Sequence, residues 1–149
     1  NVSRSYLQSD LNAAYLWAQL QVADKINANR LEAWRFYRDE LAPIEVAGRL
    51  ELATVPAGYA HNAHMFYLKC ANLEERGELI AHLRKQGVSA VFHYVPLHSS
   101  PAGRRFGRFD GEDEYTTRES ERLVRLPLYY GMTPADRQTV VSAVRAFYG

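Results

Sequence analysis

Apolar and polar positions along this chain form helical stripes towards its two ends and short alternating runs between them. Leu11, Tyr15, Ala18, Val22 and Ile26 recur at spacings of three and four, and Trp34, Tyr37 and Leu41 continue the stripe. Ser9 is placed to cap this helix, Asp10 puts a negative charge in its first turn, and Pro43 is expected to stop it. A helix over residues 9–41 would be about 50 Å long at ~1.5 Å per residue. That length predicts a bend or break near Asp24, or an element spanning two domains. Its aromatic residues read as core packing.

Shorter elements come next. Residues 49–54 read as an edge strand with Pro56-Ala57-Gly58 as its turn, and residues 64–70 as a second strand rich in aromatics. Asn72 and Glu75 have capping-box spacing, Leu73, Leu79, Ile80 and Leu83 form an apolar helix face, and Gly87 is the C-cap. Val88, Ala90, Phe92 and Tyr94 then alternate with Ser89, Val91, His93 and Val95 until Pro96 removes a ladder donor. His93 and Tyr94 are expected on opposite faces at the strand end, with His98 on the loop beyond. Residues 104–114, mixed in charge and containing glycines, read as a mobile surface loop. Thr116 and Glu119 open a helix expected to end near Val124. Thr133-Pro134 starts the last helix, which Val140, Val141, Val144 and Phe147 bury. The sum is a small α/β unit, one sheet with helices on one face.

Composition narrows the function more than the fold. At 149 residues and a formal charge of +1, the chain has no field that argues for nucleic acid or a membrane surface. Its single cysteine, Cys70, excludes an internal disulfide, fits a reducing cytoplasm, and closes an apolar strand as a small buried hydrophobe. Starting at Asn1 and entering a helix at once, the sequence is expected to belong to a longer chain. Histidines pair up as His61/His64 and His93/His98, which raises a metal site. Three-residue spacing on a strand points side chains to opposite faces, and no carboxylate or cysteine completes a set. His82 is expected in solvent. No nucleophile elbow and no glycine-rich phosphate loop is present. His93, Tyr94 and His98 by themselves form a binding surface, and a stand-alone module reading a small polar ligand or a partner protein stays open.

Four blocks in order, SYLQSDLNAAYLWAQL (5–20), HNAHMFYLK (61–69), VFHYVPLHSSP (91–101) and RLPLYYGMT (125–133), resemble the DegT/StrS family of sugar-nucleotide aminotransferases. The resemblance is nearest to members that make dTDP-4-amino-4,6-dideoxygalactose for enterobacterial common antigen and lipopolysaccharide. It implies an α+β fold: the small C-terminal domain of an aminotransferase of fold type I, with a long N-terminal helix and a small, mainly antiparallel sheet covered by helices. Residues 1–42 would link to a large domain, and 43–149 would form the small one. It also implies pyridoxal 5'-phosphate as cofactor, a cytoplasmic homodimer, and transfer of an amino group from glutamate to C4 of dTDP-4-oxo-6-deoxyglucose. No catalytic residue is expected here, since Lys25, Lys69 and Lys85 lack the setting of a Schiff-base lysine. By the same resemblance Tyr6, His93, Tyr94 and His98 would face the sugar nucleotide. Many members carry an Asn-Tyr-Arg triplet ahead of the first helix, whose asparagine reaches the partner subunit's cofactor phosphate. Here it is Ser5-Tyr6-Leu7, which leaves Ser5 a shorter donor to that phosphate.

Overall fold

The computed structural model describes residues 7–149; the expectations for Ser5 and Tyr6 lie outside the described residues. The predicted N-terminal stripe becomes two helices, α1 (Asp10–Leu20) and α2 (Ala23–Val46), broken at Gln21 and Val22 beside the expected bend. Ser9 caps α1 as expected, accepting from the Asn12 N–H at 3.3 Å. The stripe divides in burial. No residue of α1 is buried, whereas Ala33, Trp34, Tyr37 and Leu41 of α2 enter the core. Core packing therefore explains the aromatics of the second helix but not Tyr15 and Trp17, which remain largely exposed.

Pro43 does not stop α2. It falls in the last turn, where its missing N–H removes one bond near an end that frays in any case. The stop comes from Gly48 at φ +71°, whose N–H donates to Glu45 O at 2.8 Å while the Arg49 N–H reaches Ile44 O at 3.1 Å. This is a Schellman closure, and it needs a residue that tolerates the left-handed region. The boundary expected between residues 42 and 43 thus falls inside a helix that shares its core with the sheet and the later helices.

Four strands form one sheet in the order β1 (Glu51–Leu52), β2 (Phe66–Lys69), β4 (Leu123–Leu126), β3 (Val91–Phe92), every neighbour antiparallel. β1 lies at an edge, as its sequence suggested. β4 is a correction: the helix α5 (Thr116–Arg122) ends before Leu123, and residues expected near a helix end form a central strand. Leu123 to Leu126 is too short for its alternation to announce a strand. Only pairing with β2, Leu68 against Val124 and Phe66 against Leu126, makes it one.

Phe66, Leu68, Val124 and Leu126 point into a core closed by α2, α3 (Leu73–Lys85) and α6 (Pro134–Tyr148) on a single face of the sheet. Both late helices start as their sequences indicate. Asn72 accepts from Glu75 N at 2.9 Å, and Thr133 and Asp136 make a reciprocal capping box. Cys70 is fully buried and accepts from the Tyr148 hydroxyl, and burial pushes its thiol up to about 11. His82 is a second correction. It is half-buried, donates from Nε2 to Ala143 O at 3.0 Å, and packs on the Phe147 ring. Among the described residues no helix is long and apolar enough to cross a membrane.

Candidate functional site

The Val88 segment starts from a fixed point. Gly87, at φ +76°, closes α3 and lets the Val88 N–H donate to Leu83 O at 2.9 Å, which seats Val88 and Ala90 in the core. The strand after it is shorter than its alternation predicts. Only Val91 and Phe92 pair, with Arg125 and Val124. Tyr94 adopts φ +54°, a conformation costly for a residue with a Cβ, and this turns its side chain out of the pleat. Consequently His93 and Tyr94 do not lie on opposite faces. Their rings meet edge to face with centroids 4.6 Å apart. The phenol of Tyr94 is exposed, and His93 Nδ1 is buried with no hydrogen-bond partner among the described residues.

His98 is committed elsewhere. It sits in a short 3-10 turn, Leu97–Ser99, with Nε2 2.8 Å from Asp113 Oδ2 and 3.4 Å from Thr117 Oγ1, and its ring rests on Phe109. Asp113 also accepts from the backbone N–H groups of Thr116 and Thr117, so one carboxylate caps α5 and holds His98. The Thr117 hydroxyl beside it, more than any other neighbour, keeps Asp113 below the usual carboxylate range. The segment expected as a mobile loop is partly ordered by this contact. Its first residues also belong to a helix, α4 (Pro101–Phe106), capped by Ser100. Tyr94 and Thr117 line a common groove of about 420 Å³ with Arg76, Phe92, Arg104 and Glu121.

The two histidine pairs do not meet. His64 precedes β2 and lines a pocket with Pro127 and Leu128 at one end of the sheet, while His93 follows β3 near the other. His61 packs on Trp34, and His64 Nδ1 faces Asn62 Oδ1 at 3.2 Å. Among the described residues no group of His, Cys, Asp and Glu is placed to hold a metal ion.

The outward face of the sheet carries charge. Arg122 pairs with Glu51 at 2.5 Å and Lys69 with Glu119 at 2.6 Å, and Lys69–Glu51 and Arg122–Glu119 contacts at 3.6 Å close the network. The hydrogen bond to Glu119 is the main reason the Lys69 ammonium is held above its ordinary value. A Schiff base needs a neutral amine, so Lys69 is unsuited, and Lys25 and Lys85 lie exposed on helices. Among the described residues none fits as the anchor of pyridoxal phosphate. Two residues to which the sequence pattern gives no role stand out. Asp113 was hidden in an irregular stretch, and Arg125 was hidden in a strand that did not look like one.

The comparisons with known proteins agree with this architecture. A family model described as the DegT/DnrJ/EryC1/StrS aminotransferase family matches residues 4–145. An uncharacterized protein of Methanocaldococcus jannaschii, MJ1066, is 30% identical over 145 residues, covering 94% of this chain and 36% of that protein. The aminotransferase TlmJ from Streptoalloteichus hindustanus superposes with a TM-score of 0.85 at 24% identity, over 99% of this chain and 38% of that one. A DegT DnrJ EryC1 StrS aminotransferase from Brucella abortus gives 0.78 at 23% identity, over 92% of this chain and 35% of that one. The pyridoxal phosphate form of the putative sugar aminotransferase Spr1654 from Streptococcus pneumoniae gives 0.80 at 20% identity, over 99% and 38%. The chain therefore spans a little over a third of the relatives it matches. With its blocks in order and the fold in place, this chain belongs to the DegT/DnrJ/EryC1/StrS aminotransferase family.

Proposed function

We propose that this chain is the C-terminal, substrate-contacting part of a pyridoxal phosphate-dependent sugar-nucleotide aminotransferase. The observation that carries the reading is the family match across residues 4–145. The fold supports it. α1 presents Leu11, Tyr15, Leu16, Trp17 and Leu20 to solvent, with no residue buried, a surface suited to a large domain of the same enzyme. In this reading α1 links the two domains and the intact enzyme is a cytoplasmic homodimer.

The cofactor supplies an electron sink for amino transfer, and the described residues offer it no anchor. The share of this chain is recognition. His93 and the exposed Tyr94 phenol face the sugar nucleotide, where an imidazole and a hydroxyl can bond sugar hydroxyls and diphosphate oxygens. His98 belongs to the same surface and shapes the groove wall through Asp113 and Thr117. Tyr6 is assigned to the sugar nucleotide and Ser5 to the cofactor phosphate of the partner subunit. The specific reaction is amino transfer from glutamate to C4 of dTDP-4-oxo-6-deoxyglucose, serving enterobacterial common antigen and lipopolysaccharide sugars.

The test is an absorbance spectrum of the full-length gene product, followed by glutamate and then the oxo-sugar. A visible cofactor band discharged by glutamate and restored by dTDP-4-oxo-6-deoxyglucose is the expected result. A blank spectrum from folded full-length protein loaded with pyridoxal phosphate overturns the aminotransferase reading. A band that other oxo-sugars alone restore overturns the substrate.

A further inference from the structure

Asp113 divides its two carboxylate oxygens between two tasks. Oδ1 accepts from the backbone N–H groups of Thr116 and Thr117, at 2.9 and 3.3 Å, and closes the first turn of α5. Oδ2 accepts from the Thr117 hydroxyl, stands 3.2 Å from the Thr117 N–H, and lies 2.8 Å from His98 Nε2. No neighbour offers that ring nitrogen a hydrogen. The Thr117 hydroxyl directs its own hydrogen at Asp113, so its oxygen, 3.4 Å from Nε2, is a second acceptor. The Phe109 ring against the imidazole adds neither donor nor acceptor.

Two acceptors facing one nitrogen select a tautomer. The neutral imidazole carries its hydrogen on Nε2 and a lone pair on Nδ1. Nδ1 makes no hydrogen bond among the described residues, yet it is not one of their buried unpaired atoms, so it is open to a ligand. The turn that holds it borders the groove described above, whose wall includes Pro96, Ser99 and Thr117.

We infer that Asp113 is a positioning residue: by holding His98 as the Nε2–H tautomer it leaves Nδ1 as an acceptor, so that His98 reads a sugar hydroxyl of the ligand and not a diphosphate oxygen. A hydroxyl donates to a lone pair, whereas an oxygen without a hydrogen has nothing to give it. The choice of a sugar nucleotide as ligand rests on the aminotransferase reading; the tautomer does not.

The test is nitrogen NMR of the full-length protein with isotope-labelled histidine rings, the pH raised until the ring signals stop moving. His98→Gln identifies the His98 signals by their loss. The expected parent spectrum has the hydrogen on Nε2, and Asp113→Asn should move it to Nδ1. Only with the amide oxygen in the place of Oδ1 do the Thr116 and Thr117 N–H groups both keep their acceptor, and this turns the amide NH2 towards Nε2. Because the cap is kept, trypsin sensitivity should stay at the parent level. In titration calorimetry the same variant should weaken dTDP-glucose about tenfold or more and hold dTDP, which has a diphosphate and no hexose, within about twofold. A parent spectrum with the hydrogen on Nδ1, or an Asp113→Asn spectrum with it still on Nε2, overturns the positioning role. Equal weakening of dTDP-glucose and dTDP overturns the hydroxyl assignment in favour of the diphosphate. If the folded parent shows no cofactor band and binds neither nucleotide while Asp113→Asn still inverts the tautomer, the aminotransferase reading fails and the positioning role stands.

Discussion

Tyr37 ties α2 to the segment that leaves β4, and its hydroxyl can be removed without removing its ring. The side chain is fully buried. Its O–H donates to Pro127 O at 2.9 Å and lies 3.4 Å from Met132 Sδ, while its ring meets Phe66 edge to face at 5.2 Å. Tyr37→Phe keeps the ring contact and opens no sizeable cavity. The loss is one buried hydrogen bond and a half-buried carbonyl deprived of its donor, about 1–2 kcal/mol. For a chain of this size that is a fall in Tm on the order of 4 °C. Tyr37→Ala adds the cavity and should cost about 3–5 kcal/mol. Urea unfolding followed by tryptophan fluorescence reads both, because Trp34 lies 5.5 Å from Phe66 in the same cluster, whereas Trp17 is exposed. Burial also pushes the Tyr37 phenol well above its ordinary value, so it should not contribute to an alkaline absorbance titration of the folded protein. A Tyr37→Phe variant within about 0.3 kcal/mol of the parent would refute the assigned role of the hydroxyl.

Other outcomes stem from the site and the helix caps. Gly103 lies under the His98 turn, where an added Cβ would overlap the Leu97 carbonyl. Gly103→Ala should leave the circular dichroism spectrum unchanged and raise the KM for the sugar nucleotide on the order of tenfold or more. Asp113→Ala releases both His98 and the α5 cap, so trypsin should cut at Arg104, Arg105 and Arg108 several times faster than in the parent. Asp136 is held below its ordinary value near 3.8, first by the Thr133 hydroxyl and then by its backbone N–H. Its contribution is therefore complete above the unfolded value and is lost as pH falls through the lower folded one. Asp136→Asn should flatten the decline of urea midpoints below about pH 4.

The features legible from residue order alone were those with a local cause. Ser9, Asn72, Gly87 and Thr133 cap helices through bonds to residues within five positions, so their chemistry is legible without a fold. The break in the long stripe was legible for the same reason, since its length was physically excessive. β4 was not, because four residues become a strand only through partners on β2 and β3 far away in sequence. The contact between His93 and Tyr94 was hidden because a single left-handed residue overrides period-two alternation. His82 was misplaced because its acceptor, Ala143, lies on α6. Asp113 was missed because capping and ion pairing leave no periodic trace.

The position of β4 bears on the order in which the chain becomes a sheet during synthesis. β2 and β3 leave the ribosome well before residues 123–126, yet neither can pair with the other, because β4 lies between them. At about 5–20 residues per second, the stretch from Lys69 at the end of β2 to Leu123 at the start of β4 takes several seconds to emerge. Through that interval Phe66 and Leu68 lack the strand and the α6 face that later cover them. A nascent chain paused after α3 therefore offers a short apolar hairpin edge, β1 with β2, to chaperones or to other nascent copies.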